Sequence, residues 1–421
     1  MRGPAAGDNR SERGRPARPG RTLGRHALHS RKATRRHDDR AGGTPALRTR
    51  DAPPRRELQR QRAHTTRLLI HVVPGLEEVA SEEVADRFPE AQRLAVWQGF
   101  DERTSFLEYR SADDPRRWLA LDTVEDVFAL VARARSLRPD MSGLAALVGA
   151  VRNSKYFAPG MSAYVGCWTE SPRSYRVVAR AAGLRTYRRV DAQRAVEAAL
   201  AGQLGNARLV EDDAEAEFWL TIIDQEALVG IRLSTAQMRG PSSRLTTIPA
   251  SLKPTVARAM TRLSVPQPTD IVLDPCCGAG TLLTERALLG DYAALLGGDI
   301  DPAAVAIARD NANAANVDFD PRHWNALDLP LADCSVDIVL TNPPFGKKVT
   351  FDGEEPHAFY RQLLRETRRV LRPGGRLVLI TSHGDLVLRQ MRLPSSGLVM
   401  RRRLSVLLRG ERAAIVVADR A

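Results

Sequence analysis

The chain has 421 residues, of which 43% are hydrophobic, and a formal net charge of +13, so it is long enough for two or three domains with their own cores. Its four cysteines, Cys167, Cys276, Cys277 and Cys334, form no paired metal-ligand pattern, so we expect neither structural zinc nor a disulfide framework. No apolar run of about eighteen residues and no secretory leader are present in the sequence, so we expect a cytoplasmic protein without a membrane partner.

Most of the positive charge lies in residues 1–62, which hold 18 Lys and Arg residues against six Asp and Glu residues. This segment is rich in Arg, Gly, Pro and Ala and has almost no periodic apolar residues, so it is predicted to be disordered. A solvated tail, a misassigned start codon and an arm that attracts RNA phosphates all fit this composition. A transit peptide fits less well, because acidic residues interrupt the basic run.

Residues 67–142 are predicted to form a ferredoxin-like domain. Their apolar patterns predict, in order, a strand at 68–73, a helix at 75–88, strands at 94–98 and 104–109, a helix at 115–121 and a strand at 127–134. This β-α-β-β-α-β order is that of ferredoxin-like folds.

Residues 143–238 are predicted to form a second α/β domain, with apolar runs at 162–168, 175–179, 218–223 and 228–233 and a helix at 191–204. No acidic residue stands between Ser171 and Val190, and Tyr175 and Tyr187 are interleaved with arginines. Such a basic cluster on a nearly neutral body is typical of a surface that follows phosphates, although a merely solvated face is the alternative. Its arginines are Arg173, Arg176, Arg180, Arg185, Arg188 and Arg189.

Residues 239–421 are predicted to form a doubly wound α/β domain. A first helix is expected to be capped by Ser251 with Pro254 in its first turn, and a later helix at 357–371 is expected to end at Pro373-Gly374-Gly375. Alternating helices and strands imply a parallel sheet with ligands at the carboxyl ends of its strands. The strands are predicted at 271–273, 295–298, 336–340, 377–381, 398–408 and 413–418, the last two as an antiparallel hairpin.

The first of these strands leads into the segment DPCCGAGT, residues 274–281. Gly278 and Gly280 allow the backbone to approach a ligand closely. The third glycine of a dinucleotide fingerprint is replaced by Leu283, which argues against NAD or FAD. A carboxylate at Asp274 can instead meet the cationic amino-acid portion of S-adenosylmethionine.

Further acidic and amide side chains suit the same cofactor. Asp299 ends the second strand, where a carboxylate can accept hydrogen bonds from both ribose hydroxyls, and Asn325 and Asp328 are placed to contact an adenine edge, with a capping role as the alternative. The predicted cofactor contacts are Asp274, Cys276, Gly278, Gly280, Thr281, Asp299, Ile300, Asn325, Ala326, Asp328 and Asn342.

The segment TNPPFG, residues 341–346, directly follows the fourth strand. Its prolines donate no hydrogen bond and hold the backbone extended, so the Asn342 side-chain oxygen and the Pro343 carbonyl are predicted to point into the cleft. Two acceptors on an exocyclic base amine favour its nucleophilic form as a methyl group approaches, and this chemistry requires no metal. Phe345 offers a face on which the base can stack, so the predicted catalytic residues are Asn342, Pro343 and Phe345.

With these segments in this order, the chain resembles the THUMP-domain class I methyltransferases, in particular the tRNA guanine-N2 methyltransferases of the acceptor-stem type. The resemblance extends from about residue 67 to the C-terminus and also includes the stretch 174–189 and the linker PASLKP at 249–254. It implies a THUMP domain at 143–238 that grips tRNA, S-adenosylmethionine as cofactor, and a guanine amine held by the Asn-Pro-Pro-Phe segment. The predicted RNA contacts are Arg173, Arg176, Arg185, Arg188, Arg189, Lys347 and Lys348, although the two lysines could equally lie in a solvated loop.

The chain departs from the family pattern at the third cofactor motif, where Asn325 replaces the usual Asp and Asp328 could share the contact. Asn342, where enzymes acting near the D-arm tend to have Asp, favours the acceptor-stem group. Three alternatives stay open: a guanine-N2 enzyme acting on ribosomal RNA, an adenine-N6 methyltransferase of DNA or RNA, and an RNA-binding protein without catalysis. The modified nucleotide, the number of methyl groups added and the oligomeric state are not determined by the sequence.

Overall fold

A computed structural model describes residues 65–98, 104–235, 238, 246–248, 251–344, 356–408 and 410–421. These residues belong to one compact unit that contains two β-sheets. The disorder predicted for residues 1–62 lies outside the described residues, and so do the positions of Phe345, Lys347 and Lys348. Within the described ranges, no helix is long and apolar enough to cross a membrane.

The first sheet has eight strands in the order β2-β3-β1-β4-β8-β7-β5-β6. Strand β4 pairs antiparallel with β8, so the two domains predicted for the N-terminal half share one continuous sheet. The strands are β1 Thr66–Val72, β2 Gln92–Trp97, β3 Ser105–Ser111, β4 Asp126–Ala134, β5 Ser174–Ala182, β6 Arg208–Leu209, β7 Ala216–Ile223 and β8 Glu226–Arg232. The helices of this half are α1 Glu77–Arg87, α2 Pro115–Trp118, α3 Met141–Arg152, α4 Phe157–Trp168 and α5 Arg189–Ala201.

The two faces of the first sheet follow the alternation of side chains along its strands. Leu68 and Ile70 of β1 point to a core to which all five helices of this half contribute. Leu69 points to the opposite face, where it packs with the aromatic rings of Phe128 and Trp219. Because both faces are apolar in the centre, the strands read as nearly continuous hydrophobic runs, which made them recognisable in the sequence.

The second sheet has seven strands in the order β11-β10-β9-β12-β13-β15-β14. The first five are parallel, and β14 and β15 form the predicted antiparallel hairpin at one edge. The strands are β9 Ile271–Asp274, β10 Ala294–Asp299, β11 Arg322–His323, β12 Val336–Thr341, β13 Leu371–Thr381, β14 Leu398–Leu408 and β15 Glu411–Arg420. The helices are α6 Pro254–Leu263, α7 Thr281–Leu288, α8 Pro302–Ala315, α9 Pro356–Val370 and α10 Gly384–Met391. The predicted doubly wound α/β class is therefore confirmed.

The loop between β1 and α1 joins the two halves. The Leu407 amide donates to the Pro74 carbonyl at 3.0 Å, and a Cβ on Gly75 would lie 1.9 Å from the Ser405 carbonyl oxygen. Only glycine allows this approach, since Gly75 also has a φ of +96°. Val73 and Leu76 enter the core of the second sheet, so the two halves pack through a shared apolar core.

Three details differ from the sequence predictions. The apolar run at 162–168 is the second half of helix α4, and α3 was not predicted. Lys253 is the N-cap residue of α6, while the Ser251 hydroxyl accepts a hydrogen bond from the Ile248 amide in the preceding turn. Pro373-Gly374-Gly375 lies within β13, because that strand already pairs with β12 at Leu371 and shifts register before Arg376.

Candidate active site

A tight turn connects β9 to α7 and contains the first predicted cofactor motif. Gly278 and Gly280 have φ angles of +51° and +79°, which residues with a side chain rarely adopt. A Cβ on Gly280 would lie 3.0 Å from the Phe319 ring, and one on Gly278 would lie 3.3 Å from the Ile248 side chain. The turn is therefore a narrow cradle of backbone, and Thr281 begins the helix that follows it.

Asp274 is the last residue of β9 and is almost completely buried. Its carboxylate accepts a hydrogen bond from the Cys276 amide at 3.2 Å. Burial, and to a lesser extent the neighbouring charge of Asp299, raises the pKa of Asp274 to about 8. A cation that binds beside such a buried carboxyl group lowers its pKa and so favours its ionised form.

The two cysteines of the turn carry no nucleophilic thiolate. Burial raises the pKa of Cys276 well above its ordinary value, and it raises the pKa of Cys277 in the same direction. Both thiols stay protonated at neutral pH, so they line the turn as small apolar groups.

Asp299 ends β10 and is fixed by the backbone on both carboxylate oxygens. The Gly278 amide donates to its Oδ2 at 2.9 Å, and the Asp301 amide donates to its Oδ1 at 3.1 Å. The sequence prediction placed Asp299 near a ribose, and the structure ties it to the glycine turn. Ile300 follows as an apolar side chain that is 67% exposed at the same edge.

Trp324 connects three parts of this edge and was not identified from the sequence. Its indole N–H donates to the Pro275 carbonyl at 3.1 Å, and its amide donates to the Asp299 carbonyl at 3.2 Å. A Cβ on Gly298 would lie 2.4 Å from the indole ring. The Gly297-Gly298 pair before Asp299 was the signal in the sequence that a bulky group packs there.

The loop after β11 contains the predicted adenine contacts. The Asn325 side-chain oxygen accepts from the Leu327 amide at 2.9 Å, so it closes the turn in which it lies. Asn325 and Asp328 are exposed, whereas Ala326 is buried. Contact of these residues with adenine stays a prediction.

The predicted base-binding segment begins where β12 ends. Strand β12 runs parallel to β9, with Val339 opposite Leu273, so the two strands end at the same edge of the sheet. Asn342 is half-buried and Pro343 is buried directly after this edge. The geometry therefore brings Asn342 and the glycine turn to the ends of adjacent strands.

The basic cluster of the N-terminal half is divided into two groups. Arg173 and Arg176 lie at the start of β5, whereas Arg180 lies near its end and Arg185, Arg188 and Arg189 follow it. Strand β7 and the loop before it bring carboxylates next to Arg173 and Arg176, which the local sequence did not show, and Asp191 lies three residues after Arg188. The pairs and contacts are Arg173 with Glu215, Arg176 with Glu217 and Asp212, Arg188 with Asp191, Arg185 with the Ala182 and Asp224 carbonyls, Arg189 with the Ala179 carbonyl, and Arg180 over the Trp219 ring.

A family model, UPF0020, described as an RMKL-like methyltransferase domain, matches residues 241–409. The match covers the glycine turn, Asp299, Trp324 and Asn342, so the edge described above lies within the matched region.

Similar proteins extend the comparison beyond the UPF0020 domain. The chain is 36% identical over 182 residues to tRNA (guanine(6)-N(2))-methyltransferase THUMP3 of Bos taurus, covering 40% of this chain and 35% of the bovine protein. It is 31% identical over 233 residues to the tRNA (guanine(6)-N2)-methyltransferase of Thermus thermophilus, covering 53% of this chain and 66% of that relative. The crystal structure of TrmN from Thermus thermophilus superposes with a TM-score of 0.68 and 25% identity, over 85% of this chain and 100% of TrmN. The resemblance to THUMP-type methyltransferases is thus confirmed, while the chain spans only about a third of the bovine protein.

The match to a methyltransferase domain indicates S-adenosylmethionine as the cofactor, which would supply a sulfonium methyl group when bound. The residues fit this group, because a side chain at Gly278 or Gly280 would fill the cradle and because Asp299 is already oriented by two amides. Asp274 offers a buried carboxyl for the cationic amino-acid end.

Proposed function

We propose that this chain transfers a methyl group from S-adenosylmethionine to the exocyclic N2 amine of a guanosine in tRNA. The observation that carries the proposal is the position of Asn342 and Pro343 directly after β12, at the sheet edge where β9 leads into the glycine turn. The names of the bovine and Thermus relatives support guanine-N2 of tRNA as the target.

Asn342 and Pro343 are the groups that we assign to the base. The carboxamide oxygen and the proline carbonyl accept hydrogen bonds from the two hydrogens of the guanine amine. The amine lone pair would then face the sulfonium methyl group. The N–C bond would form as the S–C bond breaks, S-adenosylhomocysteine would leave, and the amine would release one proton to solvent. The rate gain would come from orientation and from preorganised acceptors. Phe345, which lies outside the described residues, is proposed to stack on the base.

The N-terminal half is proposed to hold the RNA. We divide the chain into a ferredoxin-like domain at 67–142, a THUMP domain at 143–238 and the methyltransferase domain at 239–421. The β-α-β-β-α-β order from β1 to β4 supports the first assignment. The acceptor stem is the proposed target region, and a cytoplasmic location is consistent with the four free cysteines.

The proposed RNA contacts include two strongly exposed arginines, since the side chains of Arg173 and Arg188 are 80% and 78% exposed. Exposed arginines can exchange a carboxylate partner for a phosphate at small cost, because surface ion pairs contribute little. Lys347 and Lys348 follow the base-binding segment and are proposed to hold the flanking phosphates.

The experiment is methyl transfer from labelled cofactor into tRNA from cells with and without this protein, followed by nucleoside mass spectrometry and mapping of the modified position. We expect N2-methylguanosine in tRNA, with position 6 tested first because the names of both relatives give it. Labelled N6-methyladenosine alone, or label in ribosomal RNA alone, would replace this proposal by the corresponding alternative. Cofactor binding without methylation of any RNA would support a binding protein without catalysis.

A further inference from the structure

The loop that follows Trp324 is held almost entirely by one face of helix α9. Gln362, Glu366 and Arg369 are spaced by four and three residues, so they lie on the same side of the helix. The Gln362 amide donates to the Leu327 carbonyl at 3.1 Å. The loop therefore receives its side-chain contacts from a rigid element outside the sheet edge.

Arg369 makes the largest number of these contacts. Its Nη2 donates to the Leu329 carbonyl at 2.8 Å, and its Nη1 donates to the Leu331 carbonyl at 2.7 Å. The same guanidinium pairs with Asp333 in the loop and with Glu366 on its own helix, both at 2.8 Å. The planar guanidinium group, with its five N–H donors, can bind these carbonyls and carboxylates at the same time, which a lysine ammonium group cannot do.

Glu366 adds a hydrogen-bond acceptor to the donors that Arg369 supplies to the loop. Its Oε2 accepts a hydrogen bond from the Leu329 amide at 3.1 Å, and its side chain is only 10% exposed. Leu329 thus has its amide bound by Glu366 and its carbonyl bound by Arg369. Between them, the two side chains fix the backbone of the loop at its centre.

The other end of the loop is fixed to the glycine turn. Trp324, immediately before Asn325, donates from its indole to the Pro275 carbonyl. A loop that is anchored to the turn at its start and to α9 at its centre has a defined position relative to Asp299. That position determines what the backbone of residues 325–328 can present to a nucleoside.

We propose that Glu366 and Arg369 are positioning residues for the adenosine end of the cofactor, acting through the loop from Asn325 to Asp333. This inference rests on the proposed function for the identity of the cofactor. In this assignment neither side chain contacts the cofactor. Each lowers the conformational freedom of the loop that is predicted to contact adenine, so that cofactor binding costs less conformational entropy.

The test compares Arg369→Met with Arg372→Met, a matched control. Arg372 lies three residues further on and pairs with Asp337 at 2.6 Å, but it makes none of the loop contacts. S-adenosylhomocysteine binding is measured by calorimetry on the full chain, and kcat is measured with tRNA at saturating cofactor. We expect Arg369→Met to raise the Kd roughly tenfold, because two backbone carbonyls lose their donor, with kcat within about twofold of the parent and no change for Arg372→Met.

Two milder variants cover the case in which Arg369→Met does not fold. Glu366→Gln keeps an acceptor for the Leu329 amide and loses only the charge, so it should raise the Kd less than Glu366→Ala does. Gln362→Ala removes a single contact from a half-buried position and should raise the Kd about twofold to threefold. An unchanged Kd in the folded Arg369 or Glu366 variants, or an equal rise for Arg372→Met, overturns the inference.

The readouts separate this inference from the proposed function. A parent protein that does not bind S-adenosylhomocysteine contradicts the proposed function itself. A parent that binds it and methylates tRNA, together with variants that bind it equally well, contradicts only the positioning role. A fall in kcat that matches the loss of affinity would indicate a general structural effect and would also overturn the assignment.

Discussion

The second face of the N-terminal sheet and the carboxyl edge of the C-terminal sheet hold their carboxyl groups differently. On the first of these surfaces, buried and half-buried carboxylates have arginine partners: Arg232 pairs with Asp126 and Glu217, and Arg133 pairs with Glu108. At the carboxyl edge of the C-terminal sheet, Asp274 is buried with amide and neighbouring acidic groups around it, and its pKa is raised. The paired carboxylates thus form a structural network, whereas the buried carboxyl of Asp274, at the glycine turn, is suited to a cationic ligand.

The largest effect is expected when one arginine is removed from the network of buried ion pairs in the N-terminal sheet. Arg232→Met leaves Asp126, whose side chain is fully buried, without its main cationic partner. The free energy of unfolding should fall by about 3–5 kcal/mol, measured by urea denaturation. Arg188→Met is the control, since Arg188 pairs with Asp191 on the surface and should change stability by less than about 1 kcal/mol. Equal losses in the two variants would show that the buried ion pairs of this face stabilise the protein no more than a surface pair does.

The next effect concerns catalysis at the second sheet. Asn342→Ala should lower kcat by about 10²–10³-fold, the effect typical of removing one preorganised hydrogen-bonding group. The affinity for S-adenosylhomocysteine should stay within about twofold of the parent if Asn342 contacts the base, as the proposed function assigns it, and should fall if Asn342 is also the cofactor contact predicted from the sequence. Parallel methylation assays and calorimetry check this, and an equal loss of both quantities would contradict the assignment.

Per pH unit, a smaller effect is expected from the pKa of Asp274. Because its native pKa is about 8 and its ordinary value is 3.8, the native state retains a proton that the unfolded state releases between these values. The unliganded protein should therefore lose stability as pH rises from 4 to 8, by up to about 1.4 kcal/mol per pH unit. Asp274→Asn should abolish this slope, since Asn cannot ionise but can still accept from the Cys276 amide. Unfolding measurements at pH 5, 6.5 and 8 provide the test, and a slope that persists in the variant would assign it to other groups.

The smallest effect is expected at the exposed arginines of the N-terminal half. Replacing Arg173 and Arg188 together by Gln should weaken tRNA binding a few-fold and reduce the slope of log affinity against log salt by about one for each phosphate that the variant no longer neutralises. Filter binding at several salt concentrations measures both. Unchanged slopes would show that these arginines form a solvated face, which was the alternative interpretation of the cluster.

Local sequence patterns were sufficient to predict most of the fold. Alternating helices and strands after residue 250 predicted the doubly wound sheet, and the short connection between the last two predicted strands predicted the hairpin of β14 and β15. The Pro-Gly-Gly segment was misplaced because its position depends on pairing between β12 and β13, which are 30 or more residues apart. A local turn signal cannot report such a long-range register.

The candidate site, like the fold, was predictable from the sequence only in part. From the sequence one could predict the glycine turn, the carboxylates at strand ends and the Asn-Pro-Pro segment, because each of these depends on the intrinsic geometry of a few consecutive residues. The tertiary structure was needed to show that Trp324 bridges to Pro275, that Glu366 and Arg369 bind a distant loop, and that Arg173 and Arg176 pair with carboxylates at the start of β7. These contacts join residues that are far apart in the chain, and their energies exist only once the sheets and helices have packed together.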